Sequence, residues 1–165
     1  MRGVHLPIGE EDISSLQQGE AVLLSGVVYT ARDAAHRRMS ELLKADQPLP
    51  FEITNETIYY MGPSPAPPGH VIGSAGPTTS SRMDQYTPLL LDHVLKAMIG
   101  KGRRSEDVMA SIRSHQAVYF GTVGGAGAYL GNCIVAMSCI AFEDLGPEAI
   151  YKLELKDFPA FVLVK

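Results

Sequence analysis

Apolar positions along this chain change rhythm several times, and each change predicts an element. Glu20–Val28 (EAVLLSGVV) is a near-continuous apolar run of strand length, finished by Tyr29-Thr30, and predicts a buried strand. Thr30-Ala-Arg-Asp33 then opens a helix to about Ala45, with Ala35, Met39, Leu42 and Leu43 on one face and Arg37, Arg38 and Lys44 in solvent. Pro48 and Pro50 end it. Thr57–Met61 predicts a second strand. Gly62-Pro-Ser-Pro-Ala-Pro-Pro-Gly69 holds too much proline for either regular structure and reads as a stiff connector. Val71–Ser74 begins a short strand or turn.

Leu90, Leu91, Val94, Leu95 and Met98 predict a helix from Asp84 to about Ile99, with Pro88 in its first turn and Gly100-Lys101-Gly102 closing it. Ser105–Ser114 reads as a short helix, Ala117–Val123 as a strand and Ala128 to about Ala136 as a helix. Ser138–Phe142 reads as a strand, Pro147–Tyr151 as a helical turn and Phe158–Val164 as the last strand. Strands alternating with helices give a mixed α/β class, whose sites lie in the short loops that leave the strands.

Composition narrows the function. At 165 residues with 45% apolar and 19% charged side chains, residues 1–165 read as one globular domain. A net charge of −4 argues against a nucleic-acid partner. No apolar stretch reaches the ~18 residues that span a bilayer. The N-terminus lacks a signal-peptide pattern, Arg2 being followed by a short broken apolar segment and Glu10-Glu11-Asp12, so the expected location is cytoplasmic. Cys133 and Cys139 have neither zinc nor cluster spacing and are expected to be buried, reduced thiols. No metal is assigned to this chain alone.

The densest polar stretch is Gly76-Pro-Thr-Thr-Ser-Ser-Arg-Met-Asp84. Ser81-x-x-Asp84 fits a capping box, the simplest reading of Ser and Thr before a helix. A cap needs one side chain, however, and Gly76–Arg82 crowds five polar side chains and a Pro-fixed turn into seven positions. Free N–H groups and the positive helix end there would receive an anion, and Arg82 adds a two-pronged grip on a carboxylate. Arg32 stands at a helix start, against the dipole, which points to an anion nearby. Lys101 lies between glycines at an expected helix end, where dipole compensation explains it equally well. Arg32, Arg82 and Lys101 around a hydroxyl-rich loop form a candidate dicarboxylate clamp. Gly121-x-x-Gly-Gly-x-Gly127 has the wrong order for a dinucleotide fingerprint and reads as allowing close backbone approach. The five histidines show no metal-ligand spacing, and no Gly-x-Ser-x-Gly elbow is present.

Several runs, in order, carry a resemblance: Leu24–His36 (LSGVVYTARDAAH), Tyr60–Gly69, Ile72–Asp84, Met98–Gly102 and Leu155–Phe161. With them the chain resembles the beta subunit of the iron–sulfur hydro-lyases, class I fumarase and L(+)-tartrate dehydratase, over nearly its whole length. The resemblance implies a swivelling β/β/α domain. It implies a [4Fe–4S] cluster on a partner alpha subunit and none on this chain, in a hetero-oligomer acting on a dicarboxylate substrate. The family-like sequence begins almost at Met1, so a separately encoded beta subunit is expected. Carried over by position, Thr78 resembles the catalytic base, and Arg32, Arg82 and Lys101 the substrate-binding carboxylate clamp. The implied reaction is reversible dehydration of a 2-hydroxy diacid, malate to fumarate first, with L(+)-tartrate dehydration as the alternative. The cluster iron would act as Lewis acid. A non-catalytic anion-binding module of the same fold and a metal-free lyase are the remaining classes.

Overall fold

In the middle of the sheet, alternate residues turn to opposite faces and both faces are buried. The structure is a computed structural model describing residues 1–123 and 125–165. Its elements begin with β1 (Arg2–Leu6), α1 (Glu10–Ser15), β2 (Ala21–Thr30), α2 (Asp33–Lys44) and β3 (Thr57–Tyr59). A 3-10 turn at Ser80–Met83, α3 (Thr87–Asp92), β4 (Ala97–Gly100), α4 (Glu106–Ser114) and β5 (Val118–Gly121) follow. The chain continues through α5 (Gly127–Asn132), β6 (Ile134–Ala141), a second 3-10 stretch at Glu143–Glu148 and β7 (Ile150–Val164).

In β3, β4 and β5, Tyr59, Ala97, Ile99, Val118 and Phe120 join one apolar core. Their neighbours Ile58, Met98 and Tyr119 join a second, with Ala35 and Met39 of α2, Leu90 and Leu91 of α3, and Val108 and Ile112 of α4. Strands buried on both faces lack an apolar–polar alternation, which is why they read as continuous apolar runs.

β1 through β5 run parallel in sequence order. β7 is antiparallel to both β5 and β2, so β2, β3, β4, β5 and β7 close into a ring. β1 flanks the first half of β2, and β6 flanks β7. Closure leaves the ring no free edge. Gly26 makes the close packing of β1 on β2 possible: its φ is 125°, and a Cβ there would overlap the Leu6 carbonyl.

The structure corrects several expectations. The helix expected over Asp84–Ile99 is only α3, because Val94 takes a left-handed φ of 67° and the chain then enters β4. Lys101 therefore follows a strand, not a helix. Val71–Ser74 forms no strand; it is tied to the proline-rich connector through Ser64, whose Oγ accepts from the Ser74 N–H at 2.6 Å. The helix expected to about Ala136 stops at Asn132, and β6 begins two residues later. Helical geometry lies before Ile150, not over Pro147–Tyr151, since Ile150 opens β7. β1 and α1 were not anticipated.

Cys133 is buried, but Cys139 is exposed, because β6 lies outside the ring and buries little beyond its two ends. Among the described residues no helix is long and apolar enough to cross a membrane.

Candidate active site

The loops that leave β2, β3 and β4 carry all four residues singled out from the sequence, on the edge where the parallel strands end. After β2 the chain reaches Arg32, which takes the N-cap position of α2 with extended geometry and makes no side-chain cap. Thr30 is not a cap either: its hydroxyl accepts from the Tyr151 N–H at 3.1 Å. The Arg32 guanidinium lies across Gly62, on the space a Cβ would fill. Its buried Nε has no partner among the described residues. A buried charged donor left unpaired is costly unless a ligand satisfies it.

His36, one turn on, holds this corner. Its Nδ1 lies 2.9 Å from the Arg32 carbonyl, which can only accept, so Nδ1 carries the proton. The ring is fully buried between Tyr60 and Tyr86, at centroid distances of 5.4 and 5.9 Å. Burial above all lowers the His36 pKa from 6.5 to about 4, so the ring is neutral at neutral pH.

The polar loop docks against the ends of β3 and β4. The Thr78 N–H donates to the Tyr60 carbonyl at 2.7 Å. Thr79 pairs with Lys101 in a parallel bridge, and the Ser80 N–H donates to the Lys101 carbonyl at 2.9 Å. Ser80 is buried in the space opposite Gly100, where any larger residue would collide with it. The Thr78 and Lys101 side chains are half-buried.

The loop rests on a buried charge that sequence reasoning missed. Arg104, its side chain fully buried, donates from Nε to Asp84 at 2.6 Å. Its Nη2 donates to the Tyr60 hydroxyl at 3.1 Å and Thr87 Oγ1 at 2.8 Å. The guanidinium also packs over the Tyr60 and Tyr119 rings, at 5.2 and 4.7 Å. The other Asp84 oxygen accepts from the Ser105 N–H at 2.7 Å. The expected Ser81-x-x-Asp84 capping box is therefore absent: Thr79 caps the 3-10 turn without a side-chain bond, and Asp84 serves Arg104. Burial raises the Tyr119 pKa to about 12, so its hydroxyl keeps its proton and donates to the Gly102 carbonyl at 2.8 Å.

Arg82 is exposed and reaches back to α2. Its Nε donates to Asp33 Oδ1 at 3.2 Å and its Nη2 donates to Oδ2. Sequence reading placed Asp33 at a helix start and Gly62 in a connector, and gave neither a part in the site. Asp33 reads there as an ordinary first-turn acid, and nothing local links Gly62 to Arg32. Of the glycine-rich stretch 121–127, Gly124 lies outside the described residues, while Gly127 packs closely on Ser74 and Gly76. A 640 Å³ surface hollow walled by Leu43, Pro48, Phe51 and His93 lies away from this edge and carries no arginine or lysine to hold a diacid.

Residues 3–165 match the model of the family described as Fumarase C-terminus. The chain belongs to this family. Fumarate hydratase 2 of Leishmania major is 39% identical over 93% of the chain and 28% of its own length. The anaerobic class I fumarate hydratase of Escherichia coli K12 is 43% identical over 86% of the chain and 26% of its own length. A Methanocaldococcus jannaschii protein provisionally named L(+)-tartrate dehydratase subunit beta is 33% identical over 93% of the chain and 82% of its own length. The chain thus spans about a quarter of the fumarate hydratases and most of the beta subunit. This Fumarase C-terminus chain carries Arg32, Thr78, Arg82 and Lys101 on one strand-end edge.

Proposed function

We propose that residues 1–165 form the beta-type catalytic domain, a swivelling β/β/α domain, of a hydro-lyase that reversibly dehydrates a 2-hydroxy dicarboxylic acid. Malate to fumarate is the first reading, supported by the fumarate hydratases among its relatives. L(+)-tartrate dehydration is the second, supported by the 33% identity to the Methanocaldococcus jannaschii protein provisionally named as the beta subunit of that dehydratase. The observation that carries the reading is the Arg32 guanidinium laid over Gly62, its buried Nε without a partner among the described residues, on the strand-end edge whose loops also carry Thr78, Arg82 and Lys101.

The reading includes an alpha subunit bearing a [4Fe–4S] cluster. This chain does not fit that group. A cluster needs three or four thiolates, whereas Cys133 is buried, its thiol pKa pushed up by burial, and Cys139 is exposed. Among the described residues no three His, Cys, Asp or Glu converge.

Arg32, Arg82 and Lys101 hold the substrate carboxylates and set the orientation of the carbon that loses its proton. Thr78 accepts that proton. A threonine hydroxyl is a weak base, and three cations on the same edge favour its deprotonated form. The same cations stabilise the negative charge that builds on the adjoining carboxylate as the proton leaves.

The test is anaerobic co-purification of the native complex and assay on malate, fumarate and tartrate, for wild type and Thr78→Ala. Turnover of one of these diacids is expected, with kcat about 10²–10⁴-fold lower in Thr78→Ala. A Thr78→Ala complex with near-wild-type kcat would remove Thr78 as the base. No turnover of any of the three would overturn the hydro-lyase reading and leave a non-catalytic anion-binding module.

A further inference from the structure

A guanidinium presents two forked faces, Nε with one Nη on its side and the two Nη groups at its end. In Arg82 the side fork is closed by the chain itself, since Nε and Nη2 donate to the two oxygens of Asp33. The end fork, with Nη1, has no partner among the described residues. Arg82 sits on a short 3-10 turn, and its side chain is 56% exposed, so alone it would sample many rotamers. Asp33 is better anchored. It is the first residue of the 12-residue α2, where the helix dipole favours a carboxylate, and it directly follows Arg32.

An isolated exposed ion pair contributes little to stability. This one differs in what it joins: the loop that holds Thr78 and Arg82, and the helix corner that holds Arg32, 49 residues apart in sequence.

We propose that Asp33 is a positioning residue for the carboxylate clamp. It fixes the Arg82 guanidinium by its side fork, so that the end fork, and not the side fork, receives the substrate carboxylate. Arg82 then binds two carboxylates at once, one from the chain and one from the diacid. The inference rests on reading Arg82 as a substrate-carboxylate grip. An alternative with opposite consequences is that Asp33 stands in for the substrate and must be displaced. Removing it would then tighten substrate binding instead of weakening it.

Two measurements separate these cases. In the assembled complex, Asp33→Asn keeps the shape but loses one prong, and it should raise the KM for the diacid about tenfold with a smaller change in kcat. In an Arg82→Lys background the same substitution should change KM less than about twofold, because Asp33 acts through the guanidinium. Asp33→Glu should recover part of the loss, and the melting temperature should stay near wild type in all three variants. A lowered KM in Asp33→Asn, or an equal effect with and without Arg82, overturns the proposal.

The second measurement needs no activity. In the isotope-labelled full chain, the Arg82 Nε–H NMR signal, assigned by its absence in Arg82→Lys, should be visible in wild type and lost in Asp33→Asn. It should persist, shifted, when succinate is added as an unreactive diacid. Loss of that signal on adding succinate shows displacement and overturns the proposal. If wild-type complex lacks turnover while the signal depends on Asp33 and shifts with succinate, the hydro-lyase reading falls and the positioning role stands.

Discussion

Gly62 has no left-handed φ to require glycine; its need is spatial, because the Arg32 guanidinium fills the place of a Cβ. In Gly62→Ala the group that yields is the far end of the arginine, not the backbone. The expected outcome is a fold destabilised by no more than about 1–3 kcal/mol and a kcat/KM at least about tenfold lower in the assembled complex, checked by thermal melts and steady-state assay. Full activity in Gly62→Ala would show that the observed pose of Arg32 is irrelevant to catalysis. At this scale polar side chains at expected element ends singled out Arg32, Thr78, Arg82 and Lys101, which the structure brings to one strand-end edge, although Lys101 follows a strand and not the expected helix. The sequence was silent where a partner is distant along the chain, as with Gly62 beneath Arg32 or Arg104 beneath Asp84. Cys139 lies in an apolar stretch and is still exposed, because β6 lies outside the ring.

The element that positions the chemistry is the 78–84 loop with its 3-10 turn, and Arg104 is its base. Replacing Arg104 by Met would leave the Asp84 carboxylate, only 14% exposed, without its counter-charge. Breaking such a pair on one side costs about 3–5 kcal/mol. Urea unfolding of Arg104→Met should show a loss of that size, and a change below about 1 kcal/mol would mean the pair is not what holds the loop. Among the elements, β2, α2, β3, α4 and β5 were legible, because the strands are short, nearly continuous apolar runs and the helices carry start signals or one apolar face. The stretch after Asp84 was not: its apolar positions 90, 91, 94, 95 and 98 fit a helix on spacing alone, yet they divide among α3, a left-handed turn and β4. Only the pairing of β4 with β3 and β5 decides that, and pairing leaves no local signature.

For the whole molecule, the α/β class could be read from the alternation of elements, but closure could not. Contacts between residues 21–29 and 152–161 join the two ends of the chain and carry no short-range signal. His36, buried at the seam between α2 and the sheet, makes the closed fold sensitive to acid. Its folded pKa of about 4 lies below the ordinary 6.5, so the unfolded chain binds the extra proton between these values. Stability contributed by the neutral ring is complete above about pH 6.5 and is lost as the pH falls toward 4, by about 3 kcal/mol at most. Stability measured across this window should fall less steeply in His36→Gln than in wild type, and identical slopes would contradict a buried neutral ring.

The central claim, that the strand-end edge grips a dicarboxylate for dehydration by the assembled enzyme, is tested most directly by Arg32→Ala, measured for stability in the isolated chain and for kcat/KM in the complex. Arg32 opposes the α2 dipole by about 0.3–1 kcal/mol and its buried Nε has no partner among the described residues, so its removal should leave the melting temperature unchanged or slightly raised. Loss of a charged hydrogen bond to the substrate should lower kcat/KM by roughly 10- to 150-fold. A clearly destabilised chain whose complex retains wild-type kcat/KM would make Arg32 a structural residue and contradict the account.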